Sequence, residues 1–215
     1  MLLRASRRVF AAAALLYALR YVLLVINRTV LLNSLVAVGA DVVVVSVSVV
    51  ATCVGVLTAV TLTQWLVARR AAAFARLGQS DPRSVRMLWL GCLVPPANLL
   101  WAPIFALELA RVEARETLVR QPIRAWWLAW TATAVISAWV ALTRWTHYPQ
   151  VIADNTAMTV LGYVLAAITV ATLSRVFEGF SGVAVQHPAL RWLAVRSPDP
   201  GPQPALAAHG AEPAA

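Results

Sequence analysis

Residues 88–110 read LWLGCLVPPANLLWAPIFALELA, a run apolar enough for a lipid bilayer that nevertheless carries Pro95, Pro96, Pro103 and a central Asn98. Whether this stretch crosses a membrane or enters and turns back decides the topology of the whole chain. Met87 to Val94 gives about two turns of helix, roughly 12 Å at 1.5 Å per residue. Pro95 and Pro96 lack N–H donors and disfavour helical geometry in the residue before them, so the helix breaks there. Leu99 to Leu107 then supplies a return limb of similar length.

Outward from this stretch lie four longer apolar runs, at about 9–26, 42–67, 126–142 and 157–173, and a spanning helix needs about 20 such residues. The arginines arbitrate between topologies. If all five segments crossed, nine arginines would face one side and eight the other. If residues 87–107 turn back, fifteen lie on one side and only Arg28 and Arg144 on the other. Cytoplasmic loops carry the excess of basic residues, so the second arrangement is expected. The predicted fold is an all-α membrane protein with four transmembrane helices plus a Pro-broken re-entrant or interfacial helical hairpin. Both termini are then cytoplasmic, in the cell membrane. A Pro-kinked fifth span is the alternative. Trp65, Trp126 and Trp127 fall at the inner ends of spans, and Trp145 and Tyr148 mark an outer end, as interfacial aromatics do.

Composition agrees. Of 215 residues, 60% are hydrophobic and 13% charged, against about 25% charged in soluble domains; the mean hydropathy is +0.73. All 18 basic residues are arginine and the net charge is +9. Nucleic acid is not the expected partner, because no basic stripe is interleaved with exposed aromatics. Cys53 and Cys92 sit in apolar runs without a CxxC, so neither a disulfide nor a metal site is expected. Residues 1–196 read as a single bundle, and the Pro/Ala-rich tail at 197–215 as disordered.

Trp65 through Arg69, Arg70 and Ala71 into GCLVPPANLLWAP, then ELA and AWWLAW, form a distinctive series. It continues with ADNT at 153–156, RVFEGF at 175–180 and HPALRW at 187–192. In this combination, from about residue 60 to 196, the chain resembles the bacterial "domain of unknown function 4328" family. The resemblance implies a multi-span protein of a bacterial inner membrane and no particular activity. That family's pattern has a His before the final Arg-Trp where this chain has Leu190, which weakens a histidine site there.

The candidate functional turn is Pro95, Pro96 and Asn98, with Pro103 behind it. A broken helix frees backbone carbonyls, and half-helix ends bind substrates or ions in some transporters. The plainer alternative is that Asn98 caps the return helix. Arg20, inside the first span, either snorkels to head groups or forms an intramembrane ion pair with Asp41. Arg69, Arg70, Glu108, Arg111 and Arg115 are candidate head-group or partner contacts. Glu113 and Glu116 share a helical face with Arg120, which reads as a solvated, self-neutralising helix. Small residues such as Gly55, Ala134 and Gly162 read as close helix packing in lipid.

Ser6-Arg7-Arg8-Val9-Phe10 resembles a twin-arginine export signal, but Arg20 and the apolar chain beyond it favour an uncleaved anchor. No catalytic motif is present, His147, His187 and His209 are scattered, and no cofactor is expected. The expected function is therefore a non-enzymatic scaffold or accessory subunit contacting membrane lipid, a protein partner or a second copy of the chain through cytoplasmic arginine-rich loops. A small transporter or channel component using the Pro95–Asn98 turn is the first alternative, and a lipid-acting membrane enzyme built around Glu108 the second.

Overall fold

The computed structural model describes residues 1–31, 33–145 and 148–181. His147, the HPALRW segment and the expected tail at 197–215 lie outside the described residues. The element order is α1 (Leu2–Ile26), α2 (Ser34–Arg76), α3 (Val85–Leu93), α4 (Ala97–Val112), α5 (Glu116–Thr143) and α6 (Pro149–Ser181). Four of these, α1, α2, α5 and α6, are long and apolar enough to cross a membrane, and they contain the four runs read from sequence. With 43 residues, α2 is about 65 Å long, roughly twice a bilayer's hydrocarbon core. Its last turns therefore carry Arg69, Arg70 and Arg76 beyond its apolar run.

The bundle is apolar on the outside. Val42, Val43, Val45, Val49, Val50 and Val56 of α2 are all exposed, as are Leu128, Val135 and Trp139 of α5. A contiguous apolar surface of this extent marks contact with lipid or another protein. Polar side chains instead join helices from within. Ser6 meets Thr58 at 2.8 Å, Tyr17 meets Ser48 at 2.8 Å, and Thr133 meets Thr169 at 3.1 Å.

Helix α1 lies between α2 and α6, α5 packs on α6, and α4 packs on α5 and, together with α3, on α2. The principal neighbours of α2 and α5 are thus other helices, which leaves a gap between these two where the α3–α4 pair does not reach. The hydrophobic core gathers where α3 and α4 fill that gap, around Leu66, Leu88, Phe105, Leu109, Ile123 and Phe180.

Helices α3 and α4 form a hairpin about Val94–Pro96, with a cis Pro95–Pro96 bond. Ser84 caps α3 by accepting from the Met87 amide at 3.3 Å. Asn98 does not cap the return helix: the N-cap of α4 is Pro96, and Asn98 is its second helical residue. The limbs approach closely at Gly91, where a Cβ would stand 2.7 Å from Phe105 Cε2 and 3.0 Å from Trp101 Cβ. Pro103 lies inside α4 and cannot donate to the carbonyl four residues back, that of Leu99. The Trp127 indole N–H of α5 takes that place at 2.8 Å, so the carbonyl is not orphaned.

The structure corrects the continuous charged helix expected around Glu113 and Arg120. The chain turns at Ala114, whose φ is 55°. The Arg115 amide donates to Ala110 O at 2.8 Å and the Ala114 amide to Arg111 O at 3.0 Å, the two bonds of a Schellman motif. The end of α2 has the same pair of bonds, Gln79 to Phe74 and Gly78 to Ala75, with glycine at the left-handed position. A Schellman ending without glycine leaves little trace in a sequence, so local spacing carries the helix straight through it.

Candidate functional site

Arg69 and Arg70 are consecutive, and at 3.6 residues per turn their side chains leave α2 about 100° apart. Each serves a different network. The Arg70 side chain is 0% exposed. Its Nε and Nη2 donate to the two oxygens of Asp81, both at 2.8 Å. Its Nη1 donates to Glu108 Oε2 and to the Phe105 carbonyl, both at 3.1 Å. Arg83 closes the set, donating its amide to Asp81 at 2.9 Å and Nη2 to Glu108 Oε1 at 2.8 Å. A buried guanidinium is tolerated when paired and hydrogen-bonded in this way. The network ties the loop before α3 and the last turns of α4 to one level of α2, so the hairpin begins and ends at the same end of the bundle.

Burial alone would raise the Asp81 carboxyl pKa. The Arg70 hydrogen bonds and the Arg83 amide outweigh that cost and hold it below its ordinary value.

Arg69 forks onto Glu113 at 2.8 and 2.9 Å and donates to the Phe180 carbonyl at 2.7 Å. Arg115 donates to the Gly179 and Phe180 carbonyls at 2.9 and 2.8 Å. These carbonyls lie in the last described turn of α6, where backbone acceptors take side-chain donors. Cations there are favoured by about 0.3–1 kcal/mol, up to about 2 when partly buried. Glu113 sits among Arg69, Arg76 and Arg115 at 2.8, 3.4 and 3.8 Å. It balances two converging arginines that would otherwise repel. Close seating is required here too, since a Cβ on Gly179 would lie 2.6 Å from Val119 Cγ1.

At the opposite end, Arg20 Nε donates to Asp41 at 2.9 Å and Nη1 to Thr156 at 3.1 Å. Arg28 donates to Gln150 at 2.9 Å, and Asn155 ties α6 to the Val140 carbonyl and Thr143 of α5.

Of the residues singled out from sequence, Arg70, Glu108, Arg69 and Arg115 join the two networks, with Arg70 and Arg115 buried. Their guanidiniums are engaged inside the fold. Arg111 is exposed and pairs with Glu116 at 3.3 Å. Pro95 and Pro96 are exposed at the hairpin tip, Asn98 is half-buried and Pro103 is buried. None of these four lines the cavities described next.

Between α2 and α5, floored by α1 and α6, lies a cavity of about 870 Å³ whose lining includes Tyr17, Arg20, Ser48, Arg144, Asn155 and Tyr163. It adjoins a second space of about 280 Å³, lined by Trp65, Trp126, Trp130, Leu173, Phe177 and Phe180. Both are bounded by Phe10, Gly55, Thr133 and Ala166. Sequence reasoning missed this feature, because it depends on which helices fail to touch. Gly55, read from sequence as a packing position, stands with Ala166 where the two spaces meet. Among the described residues, no group of three His, Cys, Asp or Glu side chains is placed to hold a metal ion.

A family model described as Domain of unknown function (DUF4328) matches residues 28–182. No curated protein and no solved structure matches the chain.

Proposed function

This chain belongs to the DUF4328 family, and on that premise we propose that it is a non-enzymatic, four-span scaffold or accessory subunit of a cell membrane. Both termini lie in the cytoplasm. The α3–α4 hairpin is re-entrant or interfacial and plugs the cytoplasmic end of the bundle. A basic cytoplasmic collar then contacts anionic head groups or an acidic partner surface. The observation that carries this reading is a division of labour among arginines. Arg69, Arg70 and Arg115 are consumed inside the fold by Asp81, Glu108, Glu113 and helix-end carbonyls. Arg4, Arg7, Arg8, Arg86, Arg120 and Arg124 stay exposed, all on segments at the Arg70 end. Each basic residue near an anionic membrane surface contributes about 1 kcal/mol of attraction.

The hairpin assignment is supported by the Arg70 network, which holds its two ends at one level of α2. Glu108 carries ion pairs to both Arg70 and Arg83, which leaves it poorly placed as an acid or base and disfavours the enzyme reading. The transporter reading gains from the cavity rather than from the Pro95–Asn98 turn.

Purification of the full chain in gentle detergent, with mass spectrometry of copurifying proteins and lipids, tests the proposal. Replacing Arg120 and Arg124 by Glu is expected to remove the anionic lipid or acidic partner held at the collar while the bundle stays folded. An unchanged profile would remove the collar from the account of function.

A further inference from the structure

The two adjoining spaces differ in chemistry along one direction. At the Arg20 end the lining offers Tyr17, Ser48, Asn155, Thr159 and Tyr163 as hydrogen-bonding groups, together with the guanidiniums of Arg20 and Arg144. No Asp or Glu is among the lining residues of either space. Arg20 is already balanced by Asp41 at 2.8 Å. Arg144 stacks on Trp145 at 4.9 Å and has no carboxylate within ion-pair distance among the described residues. Toward the Arg70 end the lining becomes aliphatic and aromatic, and the core around Phe105 and Phe180 closes it.

From Thr156 to Phe177 along α6 the two spaces run about 30 Å, close to the thickness of a bilayer's hydrocarbon core. One side is the gap between α2 and α5, so the cavity opens sideways along a wall that the membrane reading sets in lipid.

We propose that this cavity is a binding site for one anionic phospholipid of the non-cytoplasmic leaflet. Its phosphate is held at Arg144 with help from Arg20 and Asn155, and one acyl chain lies between α2 and α5 with its end pointing toward Trp130. Charge complementarity selects the occupant. A lining with cations at one end, no carboxylate and an apolar far end favours an anionic amphiphile over a cation, a sugar or a neutral chain. Guanidinium and phosphate pair through parallel N–H···O bonds. The site is distinct from the cytoplasmic collar and lies at the other end of the bundle. Its sidedness rests on the membrane reading above.

The test uses the full chain reconstituted in vesicles of equal parts phosphatidylglycerol and phosphatidylcholine, extracted gently and analysed by native mass spectrometry. One phosphatidylglycerol per chain is expected to survive extraction, in preference to phosphatidylcholine. Arg144→Gln is expected to lower its retention about tenfold, the worth of a charge-assisted hydrogen bond, and Arg144→Lys to restore part of it. Ala166→Trp, which fills the junction of the two spaces without touching the charge, is expected to displace the lipid as well. Arg120→Gln with Arg124→Gln is expected to remove only lipid held at the collar and to leave this one phosphatidylglycerol in place. Retention unchanged in both Arg144→Gln and Ala166→Trp would overturn the proposal, as would equal retention of the two lipids by the wild-type chain. Alkaline carbonate extraction of the same vesicles tests the membrane reading separately. A chain that resists extraction yet holds no anionic lipid sinks the cavity site alone.

Discussion

The indole N–H of Trp127 donates to the carbonyl of Leu99 at 2.8 Å, the carbonyl that Pro103 cannot serve from within its own helix. A defect in α4 is thereby repaired by α5, and the hairpin is fastened to the bundle at a point where it would otherwise carry an unpaired acceptor. Trp127→Phe keeps most of the ring and removes only the donor. It is expected to destabilise the protein by about 0.5–1.5 kcal/mol, the net worth of one hydrogen bond, read as a fall in melting temperature in detergent. In a Pro103→Ala background the helix supplies its own N–H. The same substitution should then cost much less, a coupling that a double-mutant cycle measures.

Arg70 holds Asp81, Glu108 and the Phe105 carbonyl at once. Arg70→Met leaves two carboxylates without their buried partner, and breaking such a pair costs about 3–5 kcal/mol. Arg70→Lys is expected to recover only part of the loss, because an ammonium cannot fork onto Asp81 while reaching Glu108. Unfolding midpoints in mild detergent would rank the three proteins. Equal midpoints for Arg70→Met and wild type would contradict this role.

Asp81 gives the network a pH dependence. Its folded-state pKa is lowered, since the Arg70 and Arg83 hydrogen bonds outweigh the opposing cost of burial. A depressed carboxylate contributes stability that is complete above its unfolded pKa, about 3.9, and is lost as pH falls through the folded value. Wild-type melting temperature should therefore drop on acidification below about pH 4. In Asp81→Asn that part of the slope should vanish.

The two Schellman endings make a matched pair. Ala114 occupies the left-handed region at φ 55°, and Gly78 at 67°. An L-residue there costs roughly 1–2 kcal/mol relative to glycine. Ala114→Gly is expected to raise stability by about 1 kcal/mol and Gly78→Ala to lower it by a similar amount, both as shifts in thermal midpoint.

The four long helices were legible because twenty apolar residues in a row have few other uses. The break at Pro95–Pro96 was legible because proline removes donors wherever it stands. Antiparallel neighbours also bring together the residues flanking their connection, which is the logic that sets Arg20 beside Asp41.

The networks at the other end were hidden by distance along the chain. Arg70 reaches Glu108 across 38 positions, and Arg69 reaches Glu113 across 44. A single helical face carried through the turn instead set Glu113 with Arg120. The turn at Ala114 that defeats that pairing carries no glycine to announce it. The cavity was hidden for another reason: it is set by the spacing of α2 and α5, which no local pattern records.

The placement of the hairpin is the claim on which the rest depends, and thiol accessibility tests it most directly. Exposed Arg120 reports the side on which the chain continues after the hairpin. In a chain with Cys53→Ala and Cys92→Ala, single substitutions Gln79→Cys, Arg120→Cys and Trp145→Cys would be treated in intact cells with a membrane-impermeant thiol reagent. Gln79→Cys and Arg120→Cys are expected to be protected until the cells are opened and to react afterwards, while Trp145→Cys reacts from outside. Reaction of Arg120→Cys in intact cells with Gln79→Cys still protected would mean that residues 87–107 cross the bilayer, and would contradict a hairpin that enters and leaves on one side.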